Sequence, residues 1–480
     1  MPKKFLLLTA FVNLLYLMWL AEHISGSLLS LVFLFAESAV SALSFIFIIN
    51  HLSPKQTYHS VFFPQGTVDV FITVVDEPLH LLAAVIASAA TLDYPHKTVY
   101  ILDDGERPAV QILAKRYNAV YLSRPNKPEH YKAGNLNFGL ENSNGDFILT
   151  LDADQRVTDP ALLSDLLGHF YHNPKLALIS TRQSFDITPD DFNNDTLFYE
   201  YMQPGKNSDN AAISTGSGAI YRREALKSIG GFQIWNLVED MYTSYTLQVY
   251  GYNTLYINKP YTKGTAPYTL RDIYKQRGTW ALDTFRMFFR DNPIFKKTLS
   301  LRQKFHYMEL GLTYMASALA IPVLALLPVA ALWTNLDILT DPLGYVFVRL
   351  PSLVLLLYMY YVLSGNFFSS SQYWASLSIV YLKAMLLALR SGKPKYSVTC
   401  KVAKKSREIT FILPHLTYVA LATMSSVWYV LENGVTGFFL FNLLLISLMI
   451  FWFYPVIMRG LETERDRVAI PGKLPANVLE

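Results

Sequence analysis

The sequence predicts an α/β domain inserted between membrane-spanning α-helices. Three observations point there. Of the chain's 480 residues, 52% are hydrophobic and only 16% charged, against about a quarter charged in soluble domains. Its long apolar runs gather towards the two ends. Between them, from 51 to 303, short β-rich runs alternate with helical ones.

Residues 5–20 and 28–49 are the first apolar runs, and Lys3 and Lys4 precede them. A secretory signal peptide has the outline of the first run, but a second follows at once. Each suits a span of about 20 residues. Two spans return the chain to its starting side, which the lysines assign to the cytoplasm. Glu37 lies inside the second run, as a lumen-lining acid or an isolated one.

The middle region contains strand-like runs at 68–75, 99–102, 119–122, 147–151 and 176–180, with helical composition at 79–91. Such alternation predicts a mostly parallel sheet, whose ligands bind beyond the carboxyl ends of the strands. Further spans are expected at 310–332, 345–363, 410–431 and 438–458. Residues 374–389 suit an interfacial or partly inserted helix ending in the basic stretch that starts at Arg390. The division expected is two helices in 1–50, a cytoplasmic domain with interfacial helices in 51–303, about four spans in 304–458, and a cytoplasmic tail in 459–480.

Net charge is +4 without long basic runs, so nucleic acid is not an expected partner. The single cysteine, Cys400, excludes an intrachain disulfide and a cysteine metal cluster. There is no internal repeat and no low-complexity tract.

Acidic motifs mark the strand ends: Asp76-Glu77 after the first, Asp103-Asp104-Gly105 after the second, and Asp152-Ala153-Asp154 after the run 147–151. Asp152 and Asp154, one residue apart, can share Mg²⁺ or Mn²⁺ with substrate phosphates. Alone, such a pair is more often a solvated turn; its company of ordered motifs favours the metal. Asp103 and Asp104 can accept hydrogen bonds from a nucleotide, or form a turn. Lys132-Ala133-Gly134-Asn135 offers a phosphate a cation, or starts a helix. In Ser214-Thr215-Gly216-Ser217-Gly218, small residues admit a sugar close to the backbone, or form a loop. Glu239-Asp240 opens a helix, where the dipole favours an ionised carboxylate. Asp240 is the candidate general base, although a helix cap has the same appearance. In Gln276-Arg277-Gly278-Thr279-Trp280, arginine can bind a diphosphate and the indole can stack on a sugar, or pack in a core.

Together these motifs resemble processive family-two glycosyltransferases, most closely the catalytic subunit of bacterial cellulose synthase, over roughly residues 68–401. The resemblance implies an A-type, Rossmann-like mixed sheet. It further implies inverting polymerisation of UDP-glucose into a β-1,4-glucan, exported through the plasma membrane to which the multi-pass protein belongs. A mixed-linkage or β-1,3-glucan, a hyaluronan-type product, or non-processive lipid-linked transfer are the alternatives. Asp76-Glu77-Pro78 is similar to the family's Asn-Glu-Pro segment. Asp103, Asp104, Lys132, Asp152 and Gln276 then fall on the nucleotide-sugar, Ser217, Gly218 and Trp280 on the growing acceptor, and Val238-Glu239-Asp240 on the Thr-Glu-Asp motif whose aspartate is the base. Tyr396, Val398, Thr399 and Lys401 resemble a gating loop near 393–405, which narrows the match to cellulose-type enzymes. Thr279 departs from the Gln-x-x-Arg-Trp pattern, with Arg277 or Arg286 as candidate substitutes. The 22 residues after Met458 are fewer than a cyclic-dinucleotide-binding domain needs, so such regulation in cis is not expected. The partners implied are donor, polysaccharide acceptor, bilayer and an extracytoplasmic accessory subunit.

Overall fold

The structure, a computed structural model, describes residues 2–52, 58, 60–61, 65–125, 129–390 and 408–462; the expected gating loop lies outside these. Eight strands pair into one sheet: β1 (Val68–Val74), β2 (Lys97–Asp103), β3 (Val120–Leu122), β4 (Phe147–Asp152), β5 (Gln155–Val157), β6 (Leu176–Phe185), β7 (Ala219–Arg222) and β8 (Asn253–Gly264). Their order is β3-β2-β1-β4-β7-β6-β8-β5. The first four are mutually parallel where they pair, β7 runs antiparallel to β4 and β6, and β5 pairs antiparallel to β8 at the edge.

Strand β1 is buried along its whole length because the sheet is covered on both faces. Successive side chains alternate between the faces. Val70 and Ile72 join a core with Leu82, Ile86 and Leu166, while Phe71 joins another with Leu102, Leu136 and Leu226. The parallel register pairs Val74 with Asp103 and Thr73 with Asp152. The carboxyl ends of β1, β2 and β4 therefore coincide, and the acids that follow them meet at one rim.

Among the described residues, six helices are long and apolar enough to cross a membrane: Lys3–Glu22, Leu28–Leu52, Leu301–Thr334, Pro342–Ser364, Ile409–Asn433 and Gly437–Leu461. The α/β domain lies between the second and third. The third starts earlier than its apolar run because Ser300 and Gln303 form a reciprocal capping box. The stretch expected as one helix at 374–389 is instead two, Ser369–Ser376 and Ser378–Ala388, meeting at Leu377.

A buried polar cluster docks the domain onto the membrane helices. Lys206 pairs with Glu309, and both side chains are fully buried. Asn50 Nδ2 donates to Glu309 Oε2 at 2.5 Å, and Lys206 Nζ to the His306 carbonyl at 2.7 Å. The backbones approach so closely that a Cβ on Gly205 would lie 2.4 Å from the Asn50 carbonyl oxygen.

Candidate active site

The rim of carboxylates opens on a cavity of about 480 Å³, lined by six acids (Glu77, Asp104, Asp152, Asp154, Glu239, Asp240) and two lysines (Lys132, Lys275). So much like charge in one place needs compensation. Lys132 supplies part of it, from the first turn of the helix Tyr131–Glu141. Its Nζ lies 2.7 Å from Asp152 Oδ1 and 3.1 Å from Glu239 Oε1. Burial disfavours the charge on Lys132, but Asp152, Glu239 and Asp240 outweigh it and hold the ammonium well above its ordinary range. Burial pushes the Glu77 carboxyl upward, with Asp76 and Asp154 adding to the rise against the Val75 N–H bond.

Asp240 lies in the first turn of the helix Glu239–Val249. The helix dipole alone favours its ionised form, as the sequence suggests, but the opposite effect prevails here. Burial, reinforced by the charge of Glu239, pushes its carboxyl up to about 8 against the pull of Lys132 and a Met241 N–H bond. The motif is pinned from behind by Asp283, whose Oδ2 accepts from Val238 N at 2.6 Å. Burial pushes that carboxyl up as well, to about 7. Gly216 allows the approach of Asp240: its φ is +82°, and an added Cβ would fall 2.6 Å from Asp240 Oδ2.

A second cavity, of about 180 Å³, begins where the first ends. Thr215, Val238, Asp240 and Trp280 line both. From there it is walled by Phe47, Tyr314 and Tyr360 of three spanning helices, and by Tyr373 and Trp374. Asp240 thus occupies the junction of a polar, acidic chamber with an aromatic one between membrane helices.

Glu77, Asp104, Lys132, Asp152, Asp154, Glu239, Asp240, Gln276 and Trp280 converge on the polar cavity. Other expected site residues lie elsewhere. Asp103 is fully buried and holds its own turn, accepting from Gly105 N, Arg107 N and Tyr121 Oη. Asp76 is exposed and does not line the cavity. Asp104 does line the cavity, with both its oxygens held at 2.8 Å by Arg124. Ser217 Oγ accepts from Asp152 N, and Gly218 packs against Thr181, so these two residues accommodate protein groups. Arg277 faces the aromatic cavity, paired with Asp195 at 2.6 Å and lying over the Trp280 ring at 4.5 Å. Arg286 is buried over the Trp235 ring and lines neither cavity. Sequence reading missed Gln183, Phe185 and Lys275 as cavity residues, whereas Thr215, within the small-residue stretch it singled out, lines both cavities. For Lys275 a signal was present, since it precedes Thr279 by one helical turn.

Among the described residues, no three His, Cys, Asp or Glu side chains form a protein-only metal site. Asp152 and Asp154 on the cavity wall fit a hard divalent ion that completes its shell with phosphate oxygens.

Residues 69–230 match the glycosyl transferase family 2 profile, and residues 227–376 the cellulose synthase profile. The chain is 32% identical over 372 residues to the UDP-forming cellulose synthase catalytic subunit of Komagataeibacter sucrofermentans, an alignment covering 72% of this chain and 48% of that protein. It is 36% identical over 254 residues to the corresponding subunit of Pseudomonas fluorescens, covering 50% of this chain and 34% of the relative. The chain thus spans about half or less of the length of these relatives. A mannosyltransferase from Pyrobaculum calidifontis, solved with GDP-Man and Mn²⁺, superimposes with a TM-score of 0.56 at 18% identity over 75% of this chain and 98% of its own. That likeness carries the fold: an A-type glycosyltransferase domain, here flanked by apolar helices.

Proposed function

The chain joins a family 2 glycosyltransferase domain to a cellulose synthase domain, and we propose that it polymerises glucose from UDP-glucose into a β-1,4-glucan and passes the product across the membrane. The observation that carries this reading is the position of Asp240, shared by the polar and aromatic cavities. A donor in the first and an acceptor in the second would meet at its carboxylate.

In this scheme Asp240 takes the proton of the acceptor's terminal hydroxyl. The hydroxyl oxygen attacks the anomeric carbon of the donor as the bond to the diphosphate breaks. UDP leaves with the electron pair, and the configuration inverts from α to β. Asp152 and Asp154 would hold Mg²⁺ or Mn²⁺, which when bound neutralises charge on the diphosphate as a Lewis acid. Lys132 keeps Asp152 and Glu239 in place through its two ion pairs. Trp280 offers its indole to the sugar at the junction, and the aromatic walls beyond offer apolar faces to a glucan.

The catalytic domain faces the cytoplasm, where nucleotide-sugars are made. Reporter fusions at Ser123 and Arg459 are expected to report cytoplasm, and one at Asn335 the opposite side; an external signal at Ser123 would overturn this arrangement. The function itself is tested by offering the purified protein a panel of labelled UDP-sugars. Label from UDP-glucose is expected in a polymer that a β-1,4-specific endoglucanase digests. A short, lipid-extractable product would instead identify a non-processive transferase.

A further inference from the structure

We infer that Asp283 is the positioning residue of Asp240: it completes, from a neighbouring helix, the cap that the helix Glu239–Val249 cannot form for itself, and so fixes the Asp240 carboxylate at the junction of the two cavities. The inference rests on the proposed role of Asp240 as base.

The need for an anchor arises in the local sequence. Residues 231–238 form neither helix nor strand, so no regular ladder holds the chain that leads into Glu239-Asp240. Val238 is the N-cap, and a valine side chain has no oxygen to offer the first turn. In a capping box the third helical residue reaches back to the N-cap N–H. Here that residue is Met241, whose thioether is a weak acceptor.

Asp283 takes this part from the helix Leu270–Arg290. Its Oδ2 accepts from Val238 N at 2.6 Å, and its carbonyl oxygen accepts from Asn236 Nδ2 at 3.4 Å. Its Oδ1 faces Arg286 Nη1 at 3.5 Å. Asp283 is fully buried, and a low local dielectric strengthens such a bond. Trp280 lies three residues earlier on the same helix, on the same face. Trp280, Asp283 and Asp240 all line the aromatic cavity. One helix therefore carries both the indole at the junction and the anchor of the base. Without the anchor, Asp240 would drift from the junction while the donor chamber keeps its other walls.

The test compares two double variants of the full chain in detergent: Asp283→Asn with Arg286→Gln, and Asp283→Leu with Arg286→Gln. Both lose the ion pair, and asparagine and leucine have similar shapes. Only asparagine keeps an acceptor for Val238 N. Transfer from UDP-glucose with Mn²⁺ is measured per UDP-binding site, so that unfolded protein does not count. The kcat with Asp283→Leu is expected to lie about 10- to 100-fold below that with Asp283→Asn, the scale of a misplaced catalytic group. KM for UDP-glucose should agree between the two within about threefold. In an Asp240→Asn background the difference should vanish, since the group being positioned is gone. Equal kcat in the two variants would overturn the inference. So would a difference that persists without Asp240, which would mean direct contact with the acceptor, or loss of all UDP-binding sites with Asp283→Leu alone, which would mean a role in folding. Transfer undiminished by Asp240→Asn would remove the assigned base and this inference with it, whereas equal kcat in an enzyme that still needs Asp240 overturns the inference alone.

Discussion

Asp240→Asn is expected to lower glucosyl transfer about 10²–10⁴-fold, the usual contribution of a positioned acid or base, while UDP-glucose binding stays near wild type. Asparagine keeps the shape that fits over Gly216 but cannot take a proton. The pH profile gives an independent reading. The base must be ionised to act, and burial with Glu239 pushes its carboxyl up to about 8. Transfer should therefore rise with pH through about 8 and fall away below it. Glu239→Gln removes a negative charge that holds the value up, so the limb should move to lower pH. Measured kcat/KM profiles of the three proteins check this. A variant that loses nucleotide affinity but keeps its turnover would give Asp240 a different role.

Asp154→Ala is expected to reduce transfer by about 10³-fold or more, since Lewis-acid stabilisation is worth several kcal/mol and each 1.36 kcal/mol is tenfold in rate. UDP binding should at the same time lose its dependence on divalent cation. Asp154 makes the better probe of the pair, because Asp152 also anchors Lys132, and removing it would disturb the site for a second reason. Wild-type transfer at full rate in excess chelator would refute a metal at this position.

The parts of the fold legible in the sequence were those with a single dominant cause. Strands β1 and β4 stand out because strands buried on both faces are apolar almost throughout, and β2 by its apolar final half; the acids after them lie at the rim because parallel strands end together. Strand β8 escaped notice: Asn253–Gly264 mixes polar residues, a proline and aromatics. Strand β5, with three residues, is too short to show a period. At the site, residue types were legible and directions were not. Gln276 and Arg277 are neighbours in sequence but turn to different cavities, and the sequence does not say which face of a helix meets which space. The raised carboxyl of Asp240 was hidden for a similar reason: the helix dipole can be read locally, whereas the burial that outweighs it arises from distant segments.

The Lys206–Glu309 pair has a consequence for how a product could advance. Removing one partner of a buried ion pair costs about 3–5 kcal/mol, and rocking the domain away would leave the buried Glu309 on its spanning helix without its cation at every cycle. The domain is better regarded as a stator, fixed in the frame of the membrane. If the chain exports a polymer as proposed, the stroke that moves it forward by one sugar would come from within the two chambers, through small excursions of their walls or the relaxation of the newly extended chain. A glycine at 205 keeps that mounting tight; a larger residue there would loosen the frame without touching any group that meets substrate.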